Sequence, residues 1–309
     1  MVSQYLNAAK HRGDKIYTSK YVILAVQRFF PQVGVLKRAW RCLTSWQDKI
    51  PRRNRVPLPE NVMQRMFVEA INLGCLGGDD AHLWFPFAVI LRVMYYAILR
   101  PVEAISLTVC DVLFACSQHF GDLFGDVCVL SIKSPKNRNF MGQNQFSLLF
   151  DDATLLWLRW TLVGLGGHVK IFPSSLSVFR RLFNYLLQIL CLSHLGLSPA
   201  SARAGGTTFH YMRQMSIGRL KFLGRWSSDK SLSCYVQEAV AFLVTSQISD
   251  EDKQAIEAVL FCASEVLARP PSAGWRKFFN RRLQQNMRRL RLLKQLKVLG
   301  QNGCPVRRL

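Results

Sequence analysis

The sequence is poor in acidic residues, and it lacks the long apolar runs and paired cysteines that mark several classes of protein. Its 19 Asp and Glu stand against 41 Lys and Arg, which gives a formal net charge of +22 at pH 7. No apolar run is as long as a membrane-spanning helix, and the first residues lack the pattern of a signal peptide. The nine cysteines include no C-x-x-C pair, which argues against a zinc site and for reduced thiols in a cytosolic or nuclear protein. The excess of positive charge favours a polyanionic partner, either nucleic acid or an anionic membrane surface.

The positive charge is concentrated at the two ends of the chain. Residues 1–70 contain 13 Lys and Arg against four acidic residues, and residues 266–309 contain 12 Lys and Arg and no acidic residue. The middle of the chain, residues 71–265, is nearly balanced, with 16 basic and 15 acidic residues. Basic ends around a nearly neutral middle suit a protein whose flanks contact the phosphates of a duplex.

Apolar periodicity predicts a mainly α-helical chain with one small β-hairpin or sheet. Two helices are expected between residues 18 and 46, separated by Pro31 and Gly34. Further helices are predicted over residues 62–73, 82–99, 152–165, 176–192, 232–243 and 249–267. The helix at 232–243 has Tyr235 near its start, and its buried side is expected to contain Val236, Ala239, Val240 and Leu243. Alternating segments at 126–132 and 145–150 predict a hairpin. Ser198 followed by Pro199 predicts the start of another helix, which places Arg203 near its beginning.

A last amphipathic helix is predicted at residues 275–299, where apolar side chains share an approximate helical spacing among Arg and Lys. Such a helix could lie on DNA, in the groove of a partner protein or on an anionic membrane. Membrane binding is the least favoured of the three.

Two arginines, a tryptophan and a late tyrosine form the most informative pattern in the chain. Arg203 is followed by the Gly-Arg-Trp-Ser-Ser segment that contains Trp226, and then by Tyr235. Arg100 lies far upstream, in Leu-Arg-Pro-Val-Glu. Arginines can grip the non-bridging oxygens of a phosphate, and an indole N–H can donate a further hydrogen bond. Since a tyrosine can form a covalent phosphotyrosyl link, the set contains what is needed to hold and cleave a phosphodiester.

This arrangement resembles the tyrosine recombinase (phage-integrase) superfamily, and the Gly-Arg-Trp-Ser-Ser segment is similar to the branch of eukaryotic DIRS- and crypton-like mobile elements. The resemblance covers roughly residues 57–245, with a weaker likeness to the helical core-binding domain at residues 1–50. It implies four parts: a partial helical DNA-binding domain at 1–50, a basic linker at 51–58, a catalytic domain at 59–246 and a basic helical tail at 247–309. The first part is shorter than a complete core-binding domain, so we expect it to be truncated.

The resemblance also implies a reaction and its partners. The expected activity is breakage and rejoining of double-stranded DNA through a 3′-phosphotyrosyl intermediate, by protomers that associate as dimers or tetramers on DNA. No metal, cofactor, membrane or small-molecule substrate is expected, and the expected location is the nucleus. Two other classes stay open: a catalytically inactive DNA-binding protein derived from a mobile element, and a nicking enzyme similar to the type IB topoisomerases.

The resemblance assigns a role to each candidate residue. Tyr235 is the nucleophile, Arg100 and Arg203 grip the phosphate, and Trp226 donates a hydrogen bond. Lys136 is the general acid for the leaving 5′ oxygen, with Lys133 as the alternative. Small residues after Arg203 are expected to let the helix approach the phosphate closely. Each candidate also has a purely structural interpretation. Arg100 could form an ion pair with Glu103, and Lys136 could belong to a solvent-exposed turn rich in lysine. Trp226 could be a core residue, and Tyr235 could be a packed surface or core residue.

One position departs from the family pattern. Many relatives have a histidine three residues before the second arginine, whereas this chain has Ala200. Alanine cannot exchange a proton, so the acid–base contribution, typically about 10²–10⁴-fold, is missing from that position. His210 and His194 are the candidates to replace it, although His210 lies almost two helical turns beyond the arginine. We therefore expect either a slow enzyme or an inactive DNA-binding protein.

Overall fold

The computed structural model describes residues 1–50, 55–115, 126–133, 135, 139 and 142–268. The chain divides into two compact units, Met1–Asn54 and Arg55–Leu309. The predicted tail helix at 275–299 lies outside the described residues, as does Lys136. Among the described helices, none is both long and apolar enough to cross a membrane.

The N-terminal unit consists of three helices, α1 (Val2–His11), α2 (Ile16–Phe29) and α3 (Lys37–Lys49). The last two are the predicted pair, and a short turn at Pro31–Val33 separates them. The first helix was not predicted, although Val2, Tyr5, Leu6 and Ala9 have the spacing of one face of a helix, and two of them, Leu6 and Ala9, are buried. The small core of this unit comprises Leu6, Ala9, Ile23, Ala39, Leu43 and Trp46.

The larger unit is mostly helical. Its helices are α4 (Glu60–Leu76), α5 (Ala81–Tyr96), α6 (Pro101–Ile105), α7 (Asp152–Leu162), α8 (Leu176–Ile189), α9 (Pro199–Met212), α10 (Ile217–Gly224), α11 (Asp229–Ser233), α12 (Glu238–Ser246) and α13 (Asp250–Ala268). The helix predicted at 82–99 ends at Tyr96, because Ile98 has a φ of +51° and Arg100 is extended in front of Pro101. A proline disfavours helical backbone in the residue before it, so a new helix, α6, begins at this point.

A small antiparallel sheet lies in the same unit, with strands β1 (Val112–Ala115), β2 (Val127–Ile132) and β3 (Gln145–Leu149) in the order β1-β2-β3. Val112 pairs with Leu130, and Cys128 pairs with Leu149. The predicted hairpin is β2 and β3. The strand β1 was not predicted, because four residues are too few to show a period of two.

The centre of the core is α5, whose residues from Phe87 to Tyr96 are all buried. Helix α9 packs closely against α5 and against the segment before α4 through two glycines. A Cβ atom on Gly206 would overlap the carbonyl oxygen of Tyr95, and one on Gly205 would overlap that of Leu58. These small residues therefore bring α9 against protein backbone, and the expectation that they make room for a phosphate was wrong. Their close packing fixes the position of the helix that contains Arg203.

Because the obstacle at Gly206 is backbone, we expect Gly206→Ala to destabilise the protein by about 1–3 kcal/mol, the usual cost of overpacking. Gly218→Ala is the matched control, since Gly218 also lies in a helix and has open space around the added atom. That control should be neutral or stabilising by up to about 1 kcal/mol. Urea unfolding of both variants measures the difference, and equal stabilities would contradict the packing argument.

Candidate active site

Arg100 and Glu103 form the first part of the site, at the start of α6. The backbone N–H of Arg100 donates to Oε2 of Glu103 at 2.9 Å, and Nη1 of Arg100 donates to Oε1 at 2.6 Å. The Arg100 side chain is 24% exposed, whereas that of Glu103 is 3% exposed. The structure therefore contains the ion pair that the sequence allowed, and it leaves part of the Arg100 guanidinium open to solvent.

Arg203 lies near the beginning of α9, as predicted, and it is almost completely buried. Its Nη1 donates to the carbonyl of Ile98 at 2.7 Å, and its Nη2 donates to the carbonyl of Gly224 at 2.5 Å. Its Nε has no hydrogen-bond partner among the described residues. The guanidinium thus joins the segment before α6 to the end of α10.

The rings of Trp226 and Tyr235 cover the Arg203 guanidinium. Its Cζ lies 4.5 Å from the centroid of the Trp226 ring and 5.4 Å from that of the Tyr235 ring. The two ring centroids are 5.0 Å apart. Such cation–π contacts are attractive, and they hold both rings beside the charged group. A Cβ on Gly224 would overlap the Trp226 ring, so glycine is required there.

Tyr235 lies in a turn between α11 and α12, so the helix predicted at 232–243 begins only at Glu238 and does not contain this tyrosine. The hydroxyl of Thr208, on α9, donates to the carbonyl of Tyr235 at 3.0 Å and accepts from the backbone N–H of Gln237 at 3.3 Å. Because a side chain from another helix takes these backbone groups, the helical pattern is interrupted here. Helix α12 buries Val244 and leaves Leu243 exposed, contrary to the prediction that Leu243 faces the core.

Arg225 is the third arginine of this site, it is buried, and it was not among the predicted site residues. Its Nη2 donates to Oε2 of Glu103 at 2.6 Å, and Nη1 of Arg203 lies 3.8 Å from the same oxygen. We call Arg100, Arg203, Arg225 and the carboxylate of Glu103 the arginine cluster. The only signal of this third member was its place beside Trp226 in the Gly-Arg-Trp-Ser-Ser segment.

The electrostatics of the arginine cluster favour a bound anion. Burial raises the pKa of Glu103, but the three arginines outweigh it, so this pKa lies below its ordinary value. Burial lowers the pKa of Arg203, and the other two arginines lower it further. Guanidinium groups nevertheless stay charged at neutral pH. Three positive charges therefore share one carboxylate, and the surplus is a strong attraction for a phosphate.

Of the two candidate lysines, Lys133 is described and lies just after the end of β2. Its Nζ is 3.0 Å from Oδ1 of Asp111 and donates to the hydroxyl of Thr108 at 3.1 Å. Its side chain is 58% exposed, so a modest rotation would free it. Lys136 lies outside the described residues, and the choice between the two lysines stays open.

Neither histidine that could replace the missing one lies in the arginine cluster. His210 donates from Nε2 to the carbonyl of Tyr96 at 2.8 Å, and His194 is 3.3 Å from the carbonyl of Gln247. Burial lowers the pKa of His210, which keeps its ring neutral. Neither His210 nor His194 therefore replaces the histidine that is missing at Ala200.

Solved structures supply the comparison for this fold. A lambda integrase dimer bound to a COC′ core site matches with a TM-score of 0.51 and 14% identity, over 77% of this chain and 64% of that one. The Tn1549 transposon integrase, in complex with circular intermediate DNA, matches with a TM-score of 0.51 and 13% identity, over 82% of each chain. The XerH site-specific recombinase bound to its difH substrate matches with a TM-score of 0.50 and 12% identity, over 77% of this chain and 67% of that one. The chain has the tyrosine recombinase fold. No protein-family model and no curated protein matches the sequence.

Within this recombinase fold, four of the five predicted site residues come together. Arg100 and Arg203 both form an ion pair with Glu103, and the Arg203 guanidinium lies directly under the rings of Trp226 and Tyr235. The prediction of a mainly α fold with a small sheet is confirmed.

Proposed function

We propose that this protein breaks and rejoins DNA strands, as a site-specific recombinase or integrase, with Tyr235 as its nucleophile. The observation that carries the proposal is the contact between Arg203 and the rings of Trp226 and Tyr235. These residues come from separate segments of the chain and converge on a group with surplus positive charge. Solved proteins of the same fold include recombinases bound to DNA.

The reaction follows from the chemistry of these groups. The phenol of Tyr235 releases its proton to water, its oxygen attacks the phosphorus, the bond between phosphorus and the 5′ oxygen breaks, and a 3′-phosphotyrosyl link forms. Arg100 and Arg203 stabilise the charge that builds up on the phosphate oxygens. Trp226 adds an N–H donor, and Lys136, or else Lys133, protonates the leaving oxygen. A second 5′ hydroxyl then reverses the step.

The partly exposed Arg100 guanidinium is the first contact for DNA in this proposal. Arg203 is covered, so the ring of Tyr235 has to move off its guanidinium before a phosphate can reach it. Binding of the phosphate then places the phenol next to the phosphorus. The movement of the Tyr235 ring that exposes Arg203 to the phosphate is therefore also the movement that precedes the attack.

The partners and origin follow from the same proposal. The charge of +22 supports double-stranded DNA as the substrate. Self-association on DNA is supported by the neighbour that is a dimer on its core site. The sequence of residues 224–228, Gly-Arg-Trp-Ser-Ser, supports an origin in a eukaryotic DIRS- or crypton-like mobile element, and with it a nuclear location.

Covalent capture tests the proposal. The protein is mixed with a pool of nicked, partly randomised duplexes, denatured in SDS and analysed for protein–DNA adducts. We expect adducts from the parent protein and none from Tyr235→Phe, because only the phenol oxygen can form the link. Tyr211→Phe is the matched control, since Tyr211 packs against the same apolar cluster as Tyr235. An absence of adducts from the parent, with DNA binding retained, would contradict the proposal.

A catalytically inactive DNA-binding protein is the second candidate. It is favoured by one observation, which is Ala200 in the place of a histidine while His210 and His194 bond to distant carbonyls. The same capture experiment separates the two candidates, because non-covalent complexes do not survive SDS.

A further inference from the structure

Arg225 occupies an unusual place for an arginine. It follows the last residue of α10 with a φ of +55°, in the left-handed region that non-glycine residues rarely adopt. Its side chain is also 3% exposed, so a charged group has been removed from water. A residue with two such costs needs a compensating contact, and the carboxylate of Glu103 supplies it.

The carboxylate oxygens of Glu103 are divided among its partners in a specific way. Oε1 accepts from Nη1 of Arg100 at 2.6 Å. Oε2 accepts from Nη2 of Arg225 at 2.6 Å and from the backbone N–H of Arg100 at 2.9 Å. Nη1 of Arg203 stays 3.8 Å from Oε2 and donates to the Ile98 carbonyl instead. Arg225 therefore holds the oxygen that Arg203 would otherwise reach.

We propose that Arg225 is a positioning residue for the phosphate grip: by donating to Oε2 of Glu103, it keeps Arg203 in a long ion pair of 3.8 Å and prevents a direct hydrogen bond from Arg203 to that carboxylate. This inference rests on the function proposed above. The result is that Arg203 keeps its charge available for a phosphate, although it lies beside a buried carboxylate. Arg225 itself need not touch the DNA.

The charges of the arginine cluster show what removal of Arg225 changes. The parent cluster has a surplus of two positive charges. Arg225→Gln lowers the surplus to one and leaves Oε2 without its strongest donor, so the nearby Nη1 of Arg203 takes its place. The double variant Arg225→Gln/Glu103→Gln restores a surplus of two and removes the carboxylate that would capture Arg203. A purely structural role for Arg225 predicts no such rescue.

The test compares these variants by three measurements: the single-turnover rate of adduct formation at saturating DNA, the rise in Tm caused by inorganic phosphate, and the Tm itself. We expect Arg225→Gln to slow adduct formation about 10- to 100-fold, which is the size of effect usual for residues coupled in one hydrogen-bonded network. The variant should also lose the phosphate-induced rise in Tm. The double variant should recover both to within about threefold of the parent. Arg65→Gln and Arg65→Gln/Glu69→Gln are matched controls, because this buried ion pair lies within α4 and includes no residue of the cluster. They should change only the Tm.

The outcomes separate this inference from the proposed function. A further loss in the double variant, in place of a recovery, overturns the positioning role. If the parent forms no adduct, the proposed function fails, but the rise in Tm caused by phosphate still tests the role of Arg225. An equal rise in the parent, the single variant and the double variant overturns that role. Should Arg225→Gln not fold, Arg225→Lys replaces it, since lysine retains the charge beside Glu103. Loss of the phosphate effect in folded Arg225→Lys would also overturn the inference.

Discussion

Arg203→Lys is expected to slow adduct formation by about 10²–10³-fold, the usual cost of losing a preorganised transition-state donor. Arg203 uses two nitrogens to bond the carbonyls of Ile98 and Gly224, and its planar face lies under two aromatic rings. A lysine has one nitrogen on a flexible stem, so it cannot bond both carbonyls and still present a fixed donor to the phosphate. The positive charge remains, so DNA binding should change little.

Arg213→Lys is the matched control for this prediction. Arg213 follows the last residue of α9, and its Cζ lies 4.4 Å from the centroid of the Phe209 ring, outside the arginine cluster. The control therefore removes an arginine–aromatic contact at the same helix without touching the candidate site. Single-turnover adduct rates and DNA affinity are measured for both variants. If Arg203→Lys forms adducts within about threefold of the parent rate, Arg203 is not a phosphate-gripping residue.

The parts of the site that depend on local signals were predictable. The Ser198-Pro199 start of α9 placed Arg203 near a helix beginning, and the spacing of Arg100 and Glu103 indicated their pair. Both depend on residues a few positions apart, where helix geometry fixes what can meet. The two strands of the hairpin were recognisable for the same reason.

The parts that depend on distant contacts were not predictable. Arg225 and Glu103 are 122 residues apart, and no local pattern connects two residues at that distance. The turn at Tyr235 arises because Thr208, 27 residues earlier, bonds its carbonyl and interrupts a pattern that looked helical. The glycines of α9 were misjudged because their neighbours are the backbone of Leu58 and Tyr95, which sequence alone does not bring near.

The second large effect is expected from Ala200→His, which should accelerate adduct formation by about 10²-fold or more. Ala200 lies in the first turn of α9, three residues before Arg203, and residues three apart share a face of a helix. A histidine there would lie on the same side of the helix as Arg203, close to the attacking phenol. Its neutral imidazole could accept the proton that Tyr235 loses, a function that neither His210 nor His194 is placed to provide in the parent.

Ala200→Gln is the matched control, because glutamine is of similar size and polarity but does not titrate near neutral pH. The gain from histidine should therefore appear as the pH rises through about 6.5, where imidazole becomes neutral and can act as a base. The glutamine variant should show neither the gain nor this pH dependence. Adduct rates of both variants and the parent, measured between pH 5.5 and 8.5, check the prediction. An equal rate for the two variants at every pH would mean that the missing base is not what limits this site.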